Sequence, residues 1–152
     1  MAGFRLDRLL RLRGQLRALR QLELQQAEEA RLRLLHERRA LDAARRQALE
    51  DTVHATERGE LDGARLHLAR AWEAALDARI QRVDEATVAA SSRVAQQRDV
   101  VAAERREERK LEHLADRYRE RLANEMALAA ERMLDELTMS RHARENGEGD
   151  RG

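Results

Sequence analysis

One heptad frame runs unbroken through the second half of the chain, and it constrains the fold more than any other feature. Its two seam positions recur every seven residues, and thirteen of the twenty side chains there are apolar, against 42% for the whole chain. Ten consecutive heptads predict a long coiled-coil helix, because a disordered chain would not keep such a frame. The first seam position holds Leu66, Glu73, Ile80, Thr87, Val94, Val101, Glu108, Ala115, Leu122 and Ala129, and the second holds Ala69, Leu76, Val83, Ala90, Gln97, Glu104, Leu111, Tyr118, Glu125 and Arg132.

The composition supports helices and little else. Among the apolar residues, 27 are Ala and 23 are Leu, whereas only six Val and one Ile are present. Strand-forming residues are therefore too scarce for an all-β or α/β fold, and an all-α fold is expected. The absence of Cys excludes disulfides and thiolate metal sites.

The first half has a less regular pattern. Its start has leucines at alternating spacings of three and four residues. After the frame shifts by about one residue, an apolar stripe recurs every seven residues, and three arginines at the same spacing lie along one flank of that stripe. The leucines are Leu9, Leu12, Leu16 and Leu19, the stripe is Ala27, Leu34, Leu41, Ala48 and Ala55, and the arginines are Arg31, Arg38 and Arg45.

The segment 58–63 separates the two halves and predicts a tight turn. Gly59 and Gly63 each cost about 1 kcal/mol inside a helix, and Asp62 is a suitable N-cap for the helix that follows. We expect one domain, residues 1–145, forming an antiparallel coiled-coil hairpin with helix 4–57, turn 58–63 and a longer helix 64–143, followed by a disordered tail, 146–152. A continuous helix through the glycines, at a cost of about 2 kcal/mol, is the alternative.

The charge distribution is asymmetric although the net charge is only +1. Residues 1–50 carry +5, and in the first 22 residues six arginines oppose only Asp7. A basic end attracts acidic protein surfaces, nucleic acid or anionic lipid, or is a solvated helix face. The lack of stacking aromatics counts against nucleic acid, and the interrupted leucine face counts against a membrane surface. No secretory signal or membrane-spanning stretch is expected.

The chain shows no pattern associated with catalysis. It has no phosphate-binding glycine loop, and its five histidines are scattered without a metal-binding pair. Two helices alone also provide no pocket that excludes water. We therefore expect no catalytic residues, no cofactor, no metal and no small-molecule substrate, and a function based on binding other proteins.

Two surfaces are candidates for that binding. In the expected register residue 4 lies near residue 117, so the second helix overhangs the first and leaves an apolar strip of Leu122, Met126, Met133 and Leu137. The second surface is Trp72 with Leu68, Leu76 and Ile80 at helical spacing just after the turn. Trp72 either covers the edge of the seam or anchors a partner.

Three segments resemble the flagellar FliJ family. The opening Phe4-Arg-Leu-Asp-Arg-Leu-Leu-Arg-Leu-Arg13 is similar to the start of that family, and Glu107-Glu-Arg-Lys-Leu-Glu-His-Leu-Ala-Asp-Arg117 resembles its charged segment. Met133-Leu-Asp-Glu-Leu137 is similar to its "D-E-x-A" ending. The resemblance extends from residue 4 to about residue 141.

The resemblance implies a non-enzymatic stalk of the bacterial flagellar type III export apparatus, in the cytoplasm and peripherally associated with the inner membrane at the flagellar base. Its implied partners are the export ATPase hexamer, the cytoplasmic part of the export-gate membrane protein, and export chaperones. The resemblance implies a gate-binding role for Trp72 and Leu76, although Arg79 and Val83 depart from the family pattern. With their neighbours at helical spacing, the expected gate-binding residues are Leu68, Trp72, Leu76 and Ile80. The expected ATPase-binding residues are Phe4, Arg5, Arg8, Leu9, Arg13, Tyr118, Leu122, Met126, Met133 and Leu137.

Two other functions are consistent with the same sequence. A stalk protein of a virulence-type (injectisome) secretion system has the same architecture. A homodimeric coiled-coil scaffold would use the exposed strip for self-association.

Overall fold

The chain folds into two α-helices joined by a short turn. A computed structural model describes the backbone of residues 2–149 and the side chains of residues 5–146. Helix α1 spans Ala2–Glu57 and helix α2 spans Gly63–Gly149. Their contacts are antiparallel, so the expected all-α hairpin with a longer second helix is confirmed. The expected tail, residues 146–152, has no described side chain beyond Asn146, and its disorder stays a prediction.

The turn is built from the capping residues that the sequence suggested. Gly59 adopts a positive φ of 68°, and its N–H donates to the carbonyl of Thr56 at 3.1 Å while the N–H of Glu60 donates to Ala55 at 2.9 Å. This pair of bonds is a Schellman motif and ends α1. Asp62 Oδ1 then accepts a 2.8 Å hydrogen bond from the backbone N–H of Arg65 and caps α2.

The chain divides into two compact units, and the turn unit consists of residues 16–104. Its centre is a cluster of Leu41, Leu76, Ile80 and Val83, against which Ala44 and Ala48 pack. The buried residues of α2 in this unit all fall on the heptad frame found in the sequence, which confirms that frame as the seam between the helices. They are Leu76, Ile80, Val83, Val94 and Val101, and they face Ala27 and Leu41 as the buried residues of α1.

Ion pairs and hydrogen bonds between the helices line both flanks of this seam. On one flank Arg31 Nε donates to Ser91 Oγ at 3.1 Å, and Arg45 Nε lies 2.9 Å from Asp77 Oδ1. Glu28–Arg98 at 2.9 Å continues the same flank, because Arg98 follows Ser91 by seven residues, and Glu37–Arg79 at 2.8 Å lies on the other flank. As the residue number rises along α1 from 28 to 45, the number of the α2 residue falls from 98 to 77, as an antiparallel arrangement requires.

The terminal unit comprises residues 1–15 and 105–152. Asp7 Oδ1 lies 3.2 Å from Arg119 Nη2, so the two helices are antiparallel here as well. Ala115 is the only buried residue among the described residues of this unit. The leucine pattern at the start of α1 does not form the packed face, because Leu9 and Leu12 are about half exposed while Leu6 and Leu10 are less exposed.

Candidate partner-binding surfaces

The four residues predicted near the turn separate into two buried and two exposed side chains. Leu76 and Ile80 are 5% and 9% exposed and belong to the core cluster. Leu68 and Trp72 are 71% and 56% exposed. Only this second pair is directly available to a partner, while Leu76 and Ile80 hold the helix segment that carries them.

Trp72 lies between two apolar grooves, and each groove is lined by residues of both helices. The groove toward the turn has a volume of about 530 Å³, and the groove on the other side has about 490 Å³. Both are lined by Ala44 and Trp72, and we refer to the combined depression as the Trp72 groove. The part toward the turn is lined further by Gln47, Ala48, Asp51, Thr52, Ala55, Leu61, Arg65, Leu68 and Ala69, and the other part by Glu37, Ala40, Leu41, Ala75, Leu76, Arg79 and Arg82.

The α1 wall of this groove was not among the predicted site residues. It is made by Ala40, Ala44, Ala48 and Ala55, with Thr52 among them. In the sequence this wall is visible only as alanines four residues apart, Ala40, Ala44 and Ala48. The same spacing is also typical of the flank of an ordinary coiled coil. The wall becomes recognisable only when Trp72 is placed opposite it.

The predicted ATPase-binding residues of α1 are mostly exposed. Arg5, Arg8 and Leu9 are exposed, and Arg13 is half-buried. The side chain of Phe4 lies outside the described residues.

Helix α2 continues well beyond the region where its side chains are covered. Tyr118 is half-buried, and every residue from 119 to 146 is exposed. Leu122, Met126, Met133 and Leu137 are 43%, 66%, 66% and 56% exposed, respectively. Their spacing of four, seven and four residues puts them on one face of the helix, and we call this face the terminal stripe. Leu134, at 63% exposure, lies beside it and was not predicted.

Charged side chains cluster just before this exposed segment. Lys110 Nζ donates to Glu107 Oε1 at 2.7 Å. This hydrogen bond lowers the pKa of the Glu107 carboxyl, together with the charges of Lys110, Arg13 and Arg106. A Cβ on Gly14 would lie 3.6 Å from Glu108 Oε1, so α1 and α2 approach closely here. Charged groups of both helices therefore lie near one another close to where the terminal stripe begins.

The described part of the chain lacks two features that would indicate other kinds of site. Within residues 2–149 neither helix contains a stretch long and apolar enough to span a bilayer. No group of three or more His, Cys, Asp or Glu side chains is arranged to hold a metal ion among the described residues.

Comparison with known proteins identifies a family. The family model described as "Flagellar FliJ protein" matches residues 1–147. No curated protein and no solved structure gives a significant match.

Proposed function

The chain belongs to the flagellar FliJ family, a non-catalytic component of the flagellar protein export apparatus, and from this premise we propose that it is the stalk of the export ATPase. In this role the terminal unit binds the ATPase hexamer, and the surface near the turn contacts the cytoplasmic part of the export-gate protein. The chain also binds export chaperones and links them to the ATPase. It acts in the cytoplasm, peripherally associated with the inner membrane at the flagellar base.

The observation that carries the ATPase contact is the exposure of α2 from residue 119 to residue 146. A single helix that presents an apolar stripe to water over this length is not stabilised by packing within the chain, and such strips mark interaction sites. One helix is also narrow, about 10–12 Å across with its side chains, which suits insertion into the central opening of a ring. The exposed Arg5 and Arg8 belong to the same terminal unit and give it additional positive charge.

The observation that supports the gate contact is the exposure of Trp72 and Leu68 above a well-packed core. Tryptophan is enriched among the residues that dominate binding energy at interfaces. Here it is more than half exposed, while the residues one turn and two turns later are buried. The backbone under Trp72 is therefore fixed, and a partner can cover the side chain without rearranging the hairpin.

Truncation tests the ATPase contact. We expect that ending the chain after Tyr118 abolishes its ability to raise the hydrolysis rate and the hexamer formation of the cognate export ATPase. The matched control ends after Asn146, which leaves the terminal stripe intact. Unchanged stimulation by the shorter chain would refute the placement of the ATPase site.

A single substitution tests the gate contact. Trp72→Ala should weaken binding to the purified cytoplasmic part of the gate protein without loss of helicity, measured by calorimetry and circular dichroism. Leu32→Ala is a suitable control, because Leu32 is also an exposed large apolar residue, at 52% exposure, but lies outside the Trp72 groove. Lost helicity with unaltered affinity would show that Trp72 is structural.

A further inference from the structure

The terminal stripe is symmetric about its midpoint. Its four side chains follow one another at intervals of four, seven and four residues, and Ala129 and Ala130 lie between the two methionines. In either direction along α2 the order is therefore leucine, methionine, small residues, methionine, leucine. An interface between two identical antiparallel helices has the same symmetry, because each residue of one copy meets the mirror-related residue of the other.

Four charged residues beside the stripe have the same spacing. Each of them immediately precedes a member of the stripe, so the four lie along one flank of it, which we call the charged flank. Their signs alternate along the chain, and the mirror-related members have opposite signs. They are Arg121, Glu125, Arg132 and Glu136. All four are exposed, and none forms a hydrogen bond or an ion pair with a described residue, so they are available to a charged partner.

The orientation of a second copy decides whether these charges meet. In an antiparallel pair the charged flank of one helix faces the charged flank of the other. Glu125 then lies opposite Arg132 of the second copy, and Arg121 lies opposite Glu136, each twice by symmetry. In a parallel pair the charged flank would face the opposite flank of the stripe. That flank is apolar and consists of Ala123, Ala127 and Leu134.

The apolar side chains fit the same antiparallel register. With Glu125 level with Arg132, Met126 of one copy lies beside the central alanines of the other, so that a large side chain meets small ones. In this register Leu122 lies between Met133 and Leu137 of the second copy. The paired segment, residues 121–137, is about 24 Å long. The exposed stripes of two chains are therefore covered together by one set of contacts.

We propose that two copies of this chain associate through residues 121–137 in an antiparallel, two-fold symmetric helix pair. The apolar stripe provides most of the affinity, because exposed ion pairs contribute little each, and the charged flank selects the orientation. One pair of helices of this length forms a small interface, so the dimer is reversible and its population depends on the protein concentration. This self-association does not depend on the proposed function.

Charge reversal tests the charged flank. Sedimentation velocity at rising concentration should show the 17.5 kDa chain in equilibrium with a species of twice that mass. Glu125→Arg and Arg132→Glu should each weaken self-association about tenfold, because the pairs across the two-fold axis become repulsive. An equimolar mixture of the two variants should associate as the wild type does, since each supplies the charge that the other needs. The chain that carries both substitutions should also associate normally.

Glu131→Arg is the matched control for these variants. It makes the same change of charge at an exposed residue, but Glu131 lies two residues before Met133 and points away from the stripe. It should self-associate as the wild type does. A wild-type chain that stays monomeric would refute the proposal. Equal losses for Glu125→Arg and Glu131→Arg, or no recovery in the mixture, would refute the role of the charged flank.

Single cysteines test the orientation, since the natural chain has none. Ala129 lies close to the two-fold axis, so Ala129→Cys should form a disulfide-linked dimer on mild oxidation. Leu122 lies about 20 Å along the helix from its equivalent in the second copy, so Leu122→Cys should not be linked. Non-reducing electrophoresis measures both. Linkage of both variants would show a parallel pair, and linkage of neither would show that the stripe does not pair with itself.

Self-association covers the surface that we propose for ATPase binding, so the ATPase has to displace the second copy. This step rests on the proposed function. The oxidised, linked Ala129→Cys dimer should stimulate the cognate export ATPase at least tenfold less than the same protein after reduction. Equal stimulation by the two forms would refute competition for the stripe. No stimulation by the wild-type chain would instead refute the proposed ATPase contact, while sedimentation and cysteine linkage still decide the dimer.

Discussion

Arg38 Nε lies 2.7 Å from Asp84 Oδ1, and this contact is the middle of three that arginines of α1 make to α2 along one flank. The arginines, residues 31, 38 and 45, are seven residues apart, and so are their partners, residues 91, 84 and 77. The pKa of Arg38 is raised because Asp42 and Asp84 accept its hydrogen bonds. All three contacts are satisfied in one register only, since a shift of one residue would break them together.

Reversing one charge in this series should destabilise the hairpin by a small amount. Asp84→Arg places two guanidinium groups opposite each other, and we expect the free energy of unfolding to fall by about 1 kcal/mol, as for partly exposed pairs. Arg38→Asp in the same chain should restore only part of the loss, because this substitution also removes the ion pair of Arg38 with Asp42. Urea denaturation at low and high salt measures both effects. A double variant no more stable than Asp84→Arg alone would contradict a direct interaction.

The core cluster should contribute far more to stability than the exposed residues near it. Leu76→Ala removes a side chain that is 5% exposed, and we expect a loss of about 2–4 kcal/mol in the free energy of unfolding. Leu68→Ala is the matched control, because the same atoms are removed at 71% exposure. Its effect on unfolding should stay below about 0.5 kcal/mol. Similar losses for the two variants would mean that Leu68 is covered in solution.

The buried face of α2 could be predicted from the sequence, whereas the buried face at the start of α1 could not. In α2, Leu76, Ile80 and Val83 are large aliphatic residues in a sustained frame, so the buried face follows from α2 alone. At the start of α1 leucines occur on several faces, and Leu9 and Leu12 belong to an exposed one. Which face packs there depends on the charged residues of α2 that it meets, and α1 by itself does not contain that information.

The two glycines at the turn should respond in opposite directions to substitution by alanine. Gly59→Ala places a Cβ at a residue with a φ of 68°, which should cost about 1 kcal/mol. Gly63 is the first residue of α2, and no atom lies within 4 Å of the Cβ that Gly63→Ala would add. There it should be neutral or stabilise by up to about 1 kcal/mol, because alanine loses less conformational freedom in a helix. Thermal denaturation of both variants tests this, and destabilisation by Gly63→Ala would argue against the cap at Asp62.

The terminal unit should lose stability on acidification through Glu107. Its hydrogen bond to Lys110 lowers the pKa of the carboxyl in the folded state. The stabilisation is therefore present above the ordinary glutamate pKa of about 4.3 and is lost as the pH falls through the lower folded value. Lys110→Gln should move the Glu107 pKa back toward its ordinary value, whereas Lys110→Arg should largely preserve the shift. Carboxyl NMR titration of the three proteins measures this, and an unchanged pKa in Lys110→Gln would exclude Lys110 as the main cause.

The candidate binding surfaces could be predicted from the sequence only where they contain residue types that are rare in this chain. Trp72 and the methionines of the terminal stripe are such residues, since the chain is rich in alanine and leucine but has one Trp and four Met. The α1 wall opposite Trp72 does not, because Ala40, Ala44 and Ala48 are ordinary residues in such a helix. Their significance comes from the register that sets them beside Trp72, which is a property of the folded pair.

Polar substitutions in the terminal stripe should separate binding from folding. Met126 and Met133 are each 66% exposed, so Met126→Gln with Met133→Gln should change the free energy of unfolding by less than about 0.5 kcal/mol. The same change makes the stripe polar, and we expect stimulation of the export ATPase to fall about tenfold or more, because the buried apolar contact with the ring is lost. Met139→Gln is the control, since Met139 is 74% exposed but lies off the stripe. Full stimulation by the double variant would show that the ATPase contact does not use this face of α2.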